Sequence, residues 1–158
     1  MALTDVGQLM PGKYLEADDL RGRPVTYVIA SVRLEVLTQS DGTELNAPVI
    51  VFERVKKAFV ATAKTNLRSI ALLLGRNPST WAGKRITLHV DKVGLGTDPS
   101  APCLRVAGSP DATPERVAAF RAAMLMKPRQ RPLALKRAYC KLEPLSMMNV
   151  DEVKEVEV

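Results

Sequence analysis

The chain is poor in histidine, cysteine and aromatic residues, and each shortage closes off a class of function. It has one His, two Cys, three Phe, three Tyr and one Trp in 158 residues. A lone His89 excludes catalytic arrangements that need a His pair. Cys103 and Cys140 lack metal-ligand spacing, and with no secretory segment they read as free thiols of a reducing compartment. No apolar run approaches the roughly 18 residues of a membrane helix. The opening stretch MALTDVGQLMPGKY lacks the basic-then-apolar order of a secretion signal. The expectation is a cytoplasmic protein with no membrane partner. Nothing in the pattern calls for a metal or another cofactor, and no catalytic constellation emerges.

Charge of one sign is abundant instead. Up to Leu142 the chain carries 22 basic and 12 acidic residues. Beyond it a single Lys stands against Glu143, Asp151, Glu152, Glu155 and Glu157. A basic body with an acidic tip suits a polyanion partner. With 46% apolar residues the chain can build one core, and it is too short for two good ones.

YLEADDLRGRP reads as a helical turn ended by Gly22 and Pro24, with Asp18 and Asp19 in a capping role. VTYVIASVRLEVLT, from Val25 to Thr38, is rich in β-branched residues and alternates. The alternation puts Val28, Ala30, Val32, Leu34 and Val36 on one face. The other face turns from Tyr27 and Ile29 to Ser31, Arg33 and Glu35. Such a strand suits a bend between two sheets. QSDGTELNAP reads as a loop, VIVFERV as a second strand and KAFVATA as a third. KTNLRSIALLLG reads as a helix with Leu67, Ile70, Ala71 and Leu74 in a buried stripe. Thr65 or Asn66 is its expected cap and Gly75 its end. RITLHVDKV and CLRVAG complete five strands, separated by the loop GLGTDPSAP.

The order β-β-β-α-β-β, with the first strand longest, is that of an OB-fold, a five-stranded partly open barrel. The expected class is therefore mainly β (β/α). An OB-like barrel spans residues 14–107, with one helix between strands 3 and 4. A C-terminal helix and basic arm follow over 108–142, and an acidic flexible tail over 143–158. TPERVAAFRAAMLM is the C-terminal helix, capped by Thr113. KPRQRPLALKRAYCKLEP is the arm, and Pro128 and Pro132 argue against a continuous helix in it.

GLG at 94–96 is too short for a nucleotide fingerprint, and GKRIT lacks the spacing of a phosphate loop. Trp81 reads as a core residue and His89 as a surface or groove residue. Binding remains. OB barrels hold single strands across strands 2 and 3 and the neighbouring loops, with cations along phosphates and aromatic faces under bases. The candidates are Tyr27, Arg33, Phe52, Arg54, Lys56, Lys57, Phe59, Lys64, Lys92 and Arg105 on the barrel. On the arm they are Lys127, Arg129, Arg131, Lys136 and Arg137. Few aromatics make the expected binding electrostatic and salt-sensitive.

YLEADDLRGRPVTYVIASV, PVIVFE, KTNLRSIALLLG and WAGKRITLHVDKV together resemble a group of small phage and prophage proteins. The matching positions are Leu15, Asp19, Leu20 and Gly22; Lys64, Thr65 and Asn66; and Trp81, Gly83 and Lys84. Arg23 stands where that pattern has lysine. The resemblance covers residues 14–107 and stops at Gly108. It implies a layout similar to phage single-stranded-DNA-binding proteins, acting in replication or recombination in the cytoplasm of an infected bacterium. Single-stranded DNA is the implied partner, with RNA as second option. Other replication or recombination proteins would meet the acidic tail, and a homo-oligomer is compatible. The competing expectation is a non-enzymatic protein-interaction module, a particle component or a host-factor inhibitor.

Overall fold

A computed structural model describes residues 13–38, 41–61, 64–92 and 102–143. The loop 93–101 and the tail beyond Glu143 lie outside the described residues. Five antiparallel strands run in the order β3-β2-β1-β4-β5: β1 Val25–Thr38, β2 Glu44–Phe52, β3 Phe59–Val60, β4 Arg85–Lys92 and β5 Pro102–Gly108. The first strand serves two ladders. Its residues 25–28 pair with β4, and its residues from Ile29 onward pair with β2.

Between those ladders the register shifts from Ile29↔Phe52 to Ser31↔Val51, which leaves Ala30 as a bulge. One extra residue reverses the alternation. Tyr27 and Ile29 before the bulge therefore share a face with Val32, Leu34 and Val36 after it. This corrects the single alternating face expected from Val28 to Val36, because Val28 and Ala30 fall on the opposite side. The shared face is the core face only near the bulge. Ile29 is fully buried, whereas Leu34 and Val36 are 72% and 60% exposed where the β1–β2 hairpin runs past the core.

β2 begins at Glu44, five residues before the expected strand. Pro48 is tolerated within it because its carbonyl accepts from the Ala61 N–H at 2.9 Å. In a strand a residue's N and O point the same way, so the missing N–H of Pro48 faces the edge rather than β1. β3 shrinks to two residues. No ladder among the described residues joins β3 to β5, so the strands form an open sheet where a barrel was expected. A two-residue β3 is too short to close it. The free edge of β5 instead meets the side chain of Asn66, whose Nδ2 donates to the Leu104 carbonyl at 2.9 Å. Its Oδ1 accepts from the Val106 N–H at 3.2 Å. One amide thus satisfies a donor and an acceptor that a sixth strand would otherwise take.

That Asn belongs to helix α1, Lys64–Leu74. The helix already contains Thr65 and Asn66, so neither is its cap. It ends as expected at Gly75, whose φ of 103° is one that L-residues rarely adopt. The Gly75 carbonyl accepts the indole N–H of Trp81 at 2.8 Å, and Trp81 is buried. The buried set of α1 differs from the expected stripe: Asn66, Ser69, Ile70, Leu72, Leu73 and Leu74 are buried, whereas Leu67 and Ala71 are only partly so. The reason is that α1 is covered on both sides. β5 lies against one side, and helices α2 (Pro114–Met124) and α3 (Arg131–Leu142) lie against the other.

Residues 108–142 pack onto the rest of the chain: Phe120, Ala123 and Leu135 join the same buried cluster as Ile29, Ile70 and Trp81. Thr113 caps α2 as expected, accepting from the Arg116 N–H at 3.3 Å. The arm differs from expectation. A short 3₁₀ turn at Pro128–Gln130 leads into a continuous α3. Pro132 sits in the first turn of α3, where a missing N–H has no helical partner to lose. Glu143, expected to open a flexible tail, is held by Arg116 at 2.6 Å and Arg76 at 3.7 Å.

Candidate nucleic-acid interface

The strand 2–3 surface holds less free chemistry than its composition suggests. Phe52 and Phe59 are both 2% exposed and present no ring face to a base. Tyr27 is half-buried and stacks on Phe52, with ring centroids 4.5 Å apart. Arg33 Nε lies 2.6 Å from Glu35 Oε2, and Lys57 Nζ lies 2.9 Å from Asp19 Oδ1. Asp19 also accepts from the Glu16 N–H, so it does cap the turn Ala17–Leu20. Arg54 and Lys56 are exposed, and among the described residues they have no carboxylate partner. The side chains of Lys64 and Lys92 lie outside the described residues.

Glu35 organises this region, and sequence reasoning gave it no role. It accepts from Arg33, from the Tyr14 hydroxyl at 2.9 Å and from Lys13 at 3.1 Å. Those bonds, Arg33 first, hold its pKa at about 2 against an ordinary 4.5. A depressed folded-state pKa gives stability that is full above the unfolded value and is lost as pH falls through the folded one. Stability should therefore decline from about pH 4.5 to about pH 2. In Glu35→Gln that part of the acid limb should be absent. Denaturant titrations at a series of pH values check it. Parallel acid limbs in the two proteins would show that Glu35 has no such linkage.

The C-terminal helices are different. Lys127 and Arg129 are exposed in the connection between α2 and α3. On α3, Leu133, Lys136, Arg137, Cys140 and Lys141 are all exposed, at the i, i+3, i+4, i+7, i+8 spacing of one face. Among the described residues none of these cations has a carboxylate within ion-pair distance. The opposite face, with Leu135 fully buried, anchors the helix to α1. Lys136, Arg137 and Lys141 are thus carried by a continuous helix where the prolines argued against one.

Arg131 and Arg105 do not join that face. Arg131 bonds Asp91 at 3.3 Å and the Met126 carbonyl at 3.1 Å. Arg105 lies opposite His89 in the β4–β5 register and donates to the Leu104 carbonyl at 3.2 Å. Both line a cleft of about 520 Å³ between the β4–β5 face and the α2–α3 corner. Arg121, Asp91 and Thr65 line it too. Sequence reasoning gave Arg121 and Asp91 no role, since each is a single polar residue in an otherwise ordinary element, and read Thr65 as a helix cap and not as part of a cleft. His89, expected on the surface or in a groove, lines this cleft.

Among the described residues no group of three or more His, Cys, Asp or Glu could hold a metal ion. No helix there is long and apolar enough to cross a membrane. Comparison with protein-family models, with curated proteins and with solved structures gives no match to this chain.

Proposed function

We propose that the chain is a non-enzymatic binding protein for single-stranded nucleic acid, in particular single-stranded DNA of a phage during replication or recombination. The observation that carries this reading is the unpaired basic surface of the C-terminal helices: Lys127, Arg129, Lys136, Arg137 and Lys141, with no carboxylate partner among the described residues. Cations without partners gain most from a polyanion that releases its own counterions on binding. The element order, the bulged β1 shared by two ladders and the helix between β3 and β4 support an OB-like arrangement, left open between β3 and β5. The phage assignment rests on the resemblance of residues 14–107.

The test is a fluorescence titration with labelled oligonucleotides, single-stranded and duplex, at two salt concentrations. The expected result is micromolar or tighter binding of the single strand at low salt, weakening steeply with added salt. Absence of binding to every oligonucleotide at low salt would remove the reading.

A second reading is favoured by different residues. Leu34 and Val36 project from the β1–β2 hairpin, and Leu125 is 88% exposed at the end of α2. Leu34 and Val36 lie two residues apart on one face of the hairpin, and an apolar patch built on them would suit a protein contact, as a protein-interaction module of a phage particle or a host-factor inhibitor would need.

A further inference from the structure

The cleft beside β4 and β5 is built from several elements. β5 supplies Arg105, α2 supplies Arg121, Phe120 and Met124, and β4 supplies His89. Arg131 is already bound to Asp91 and to a backbone carbonyl. Arg105 and Arg121 have no carboxylate partner among the described residues. Two arginines without a carboxylate partner therefore line one largely apolar space, whose one carboxylate among the described lining residues, Asp91, is paired with Arg131. An anion held by both would gain charge-assisted hydrogen bonds.

The apolar wall limits what the anion can be. At about 520 Å³ the cleft lies within the range of small-molecule sites. Inorganic phosphate would leave Met124 and the exposed Leu125 uncovered. A purely apolar molecule would cover them and leave the two guanidiniums unpaired. The occupant needs an anionic end, a flat apolar body, and polar edges to meet His89 and Asp91.

We propose that this cleft binds a nucleotide, with its phosphate on Arg105 and Arg121 and its base against Met124 and Leu125. The choice of a nucleotide among anions of this shape rests on the nucleic-acid reading above. A free nucleoside monophosphate and the phosphorylated end of a strand offer the same chemistry.

His89 makes the site observable, because it is the only histidine in the chain. Its imidazole Cε1–H gives one NMR resonance, followed at constant pH in the full-length protein. The probes are deoxyadenosine monophosphate, inorganic phosphate, and one pentanucleotide with and without a 5′-phosphate. The expected result is a saturable shift with the mononucleotide and a much weaker one with inorganic phosphate. Arg121→Gln, an exposed change, should weaken the mononucleotide by about tenfold or more, the effect of losing a hydrogen bond to a charged group. Arg23→Gln removes the same charge elsewhere and should change nothing.

If the phosphorylated pentanucleotide moves the signal and its unphosphorylated twin does not, the source is a strand end. If the mononucleotide alone moves it, the source is a free nucleotide. An unmoved signal with every nucleotide overturns the cleft, and so does a shift of equal affinity in Arg121→Gln. Oligonucleotide affinity without a His89 shift removes the cleft and leaves the strand-binding reading standing. A His89 shift without oligonucleotide affinity does the reverse.

Discussion

Replacement of Trp81 by Ala is expected to lower the free energy of unfolding by about 3–5 kcal/mol, the range for emptying a large buried aromatic site. The indole is 1% exposed and is the largest fully buried side chain among the described residues. Its N–H donates to the Gly75 carbonyl, the group left over where α1 stops. Truncation therefore opens a cavity and leaves a helix-terminal carbonyl without its donor. Trp81→Phe separates the two effects. It keeps most of the volume and should cost about 1–3 kcal/mol, mainly for the unpaired carbonyl. Urea unfolding followed by circular dichroism measures both, and an unchanged denaturant slope would show that only stability moved. Against a typical stability of about 5–15 kcal/mol the Ala variant sits near the edge of folding. A loss under about 0.5 kcal/mol, the range of surface changes, would mean that Trp81 does not join helix to sheet.

The sequence made the elements readable and left their pairing obscure. Period-2 alternation in RITLHVDKV and β-branched residues in VTYVIASV locate strands whatever they pair with. Thr113 with Pro114, and Gly75 after Leu74, mark helix ends through backbone chemistry that is local. The Ala30 bulge is not local. Nothing at Ala30 differs from an ordinary strand residue, and only the pairing with β2 reveals the shift. The same holds for Asn66, which read as a cap because Asn caps helices, and which instead satisfies the backbone of β5 some 40 residues away. Pro128 and Pro132 read as breakers because Pro breaks helix interiors. At a helix start the same residue costs little.

Charge shows the limit most clearly. A count finds every cation and says nothing of its neighbours. Arg33, Lys57 and Arg131 each have a carboxylate partner distant or near in sequence. Lys136 and Arg137 have none among the described residues. Phe52 and Phe59 looked like base platforms on a strand surface and lie in the core, since an aromatic ring on a strand can face either way.

That unequal pairing leads to the second large effect. Substituting Lys127, Arg129, Lys136 and Arg137 together by Ala is expected to lower the salt slope of single-strand binding by up to about 2.8. Each lost phosphate contact on a single strand takes about 0.7 from the slope. Substituting Arg54 and Lys56 should lower it by up to about 1.4 on the same scale. Lys57 belongs to neither set, because it is bound to Asp19 and its removal would disturb the Ala17–Leu20 turn. All four positions, two in the α2–α3 connection and two on α3, are exposed, and Leu135 on the opposite face of α3 holds the helix in place, so the fold should survive the change. Circular dichroism beside the titration checks that it does. If the slope drops with Arg54 and Lys56 and stays unchanged with the four helical residues, the strand lies along β2 and β3 as fold analogy expects. If the order is the reverse, the helical corner carries the phosphates. The sheet would then contribute shape rather than charge, which is what the pairing of Arg33 with Glu35 and of Lys57 with Asp19 leads us to expect.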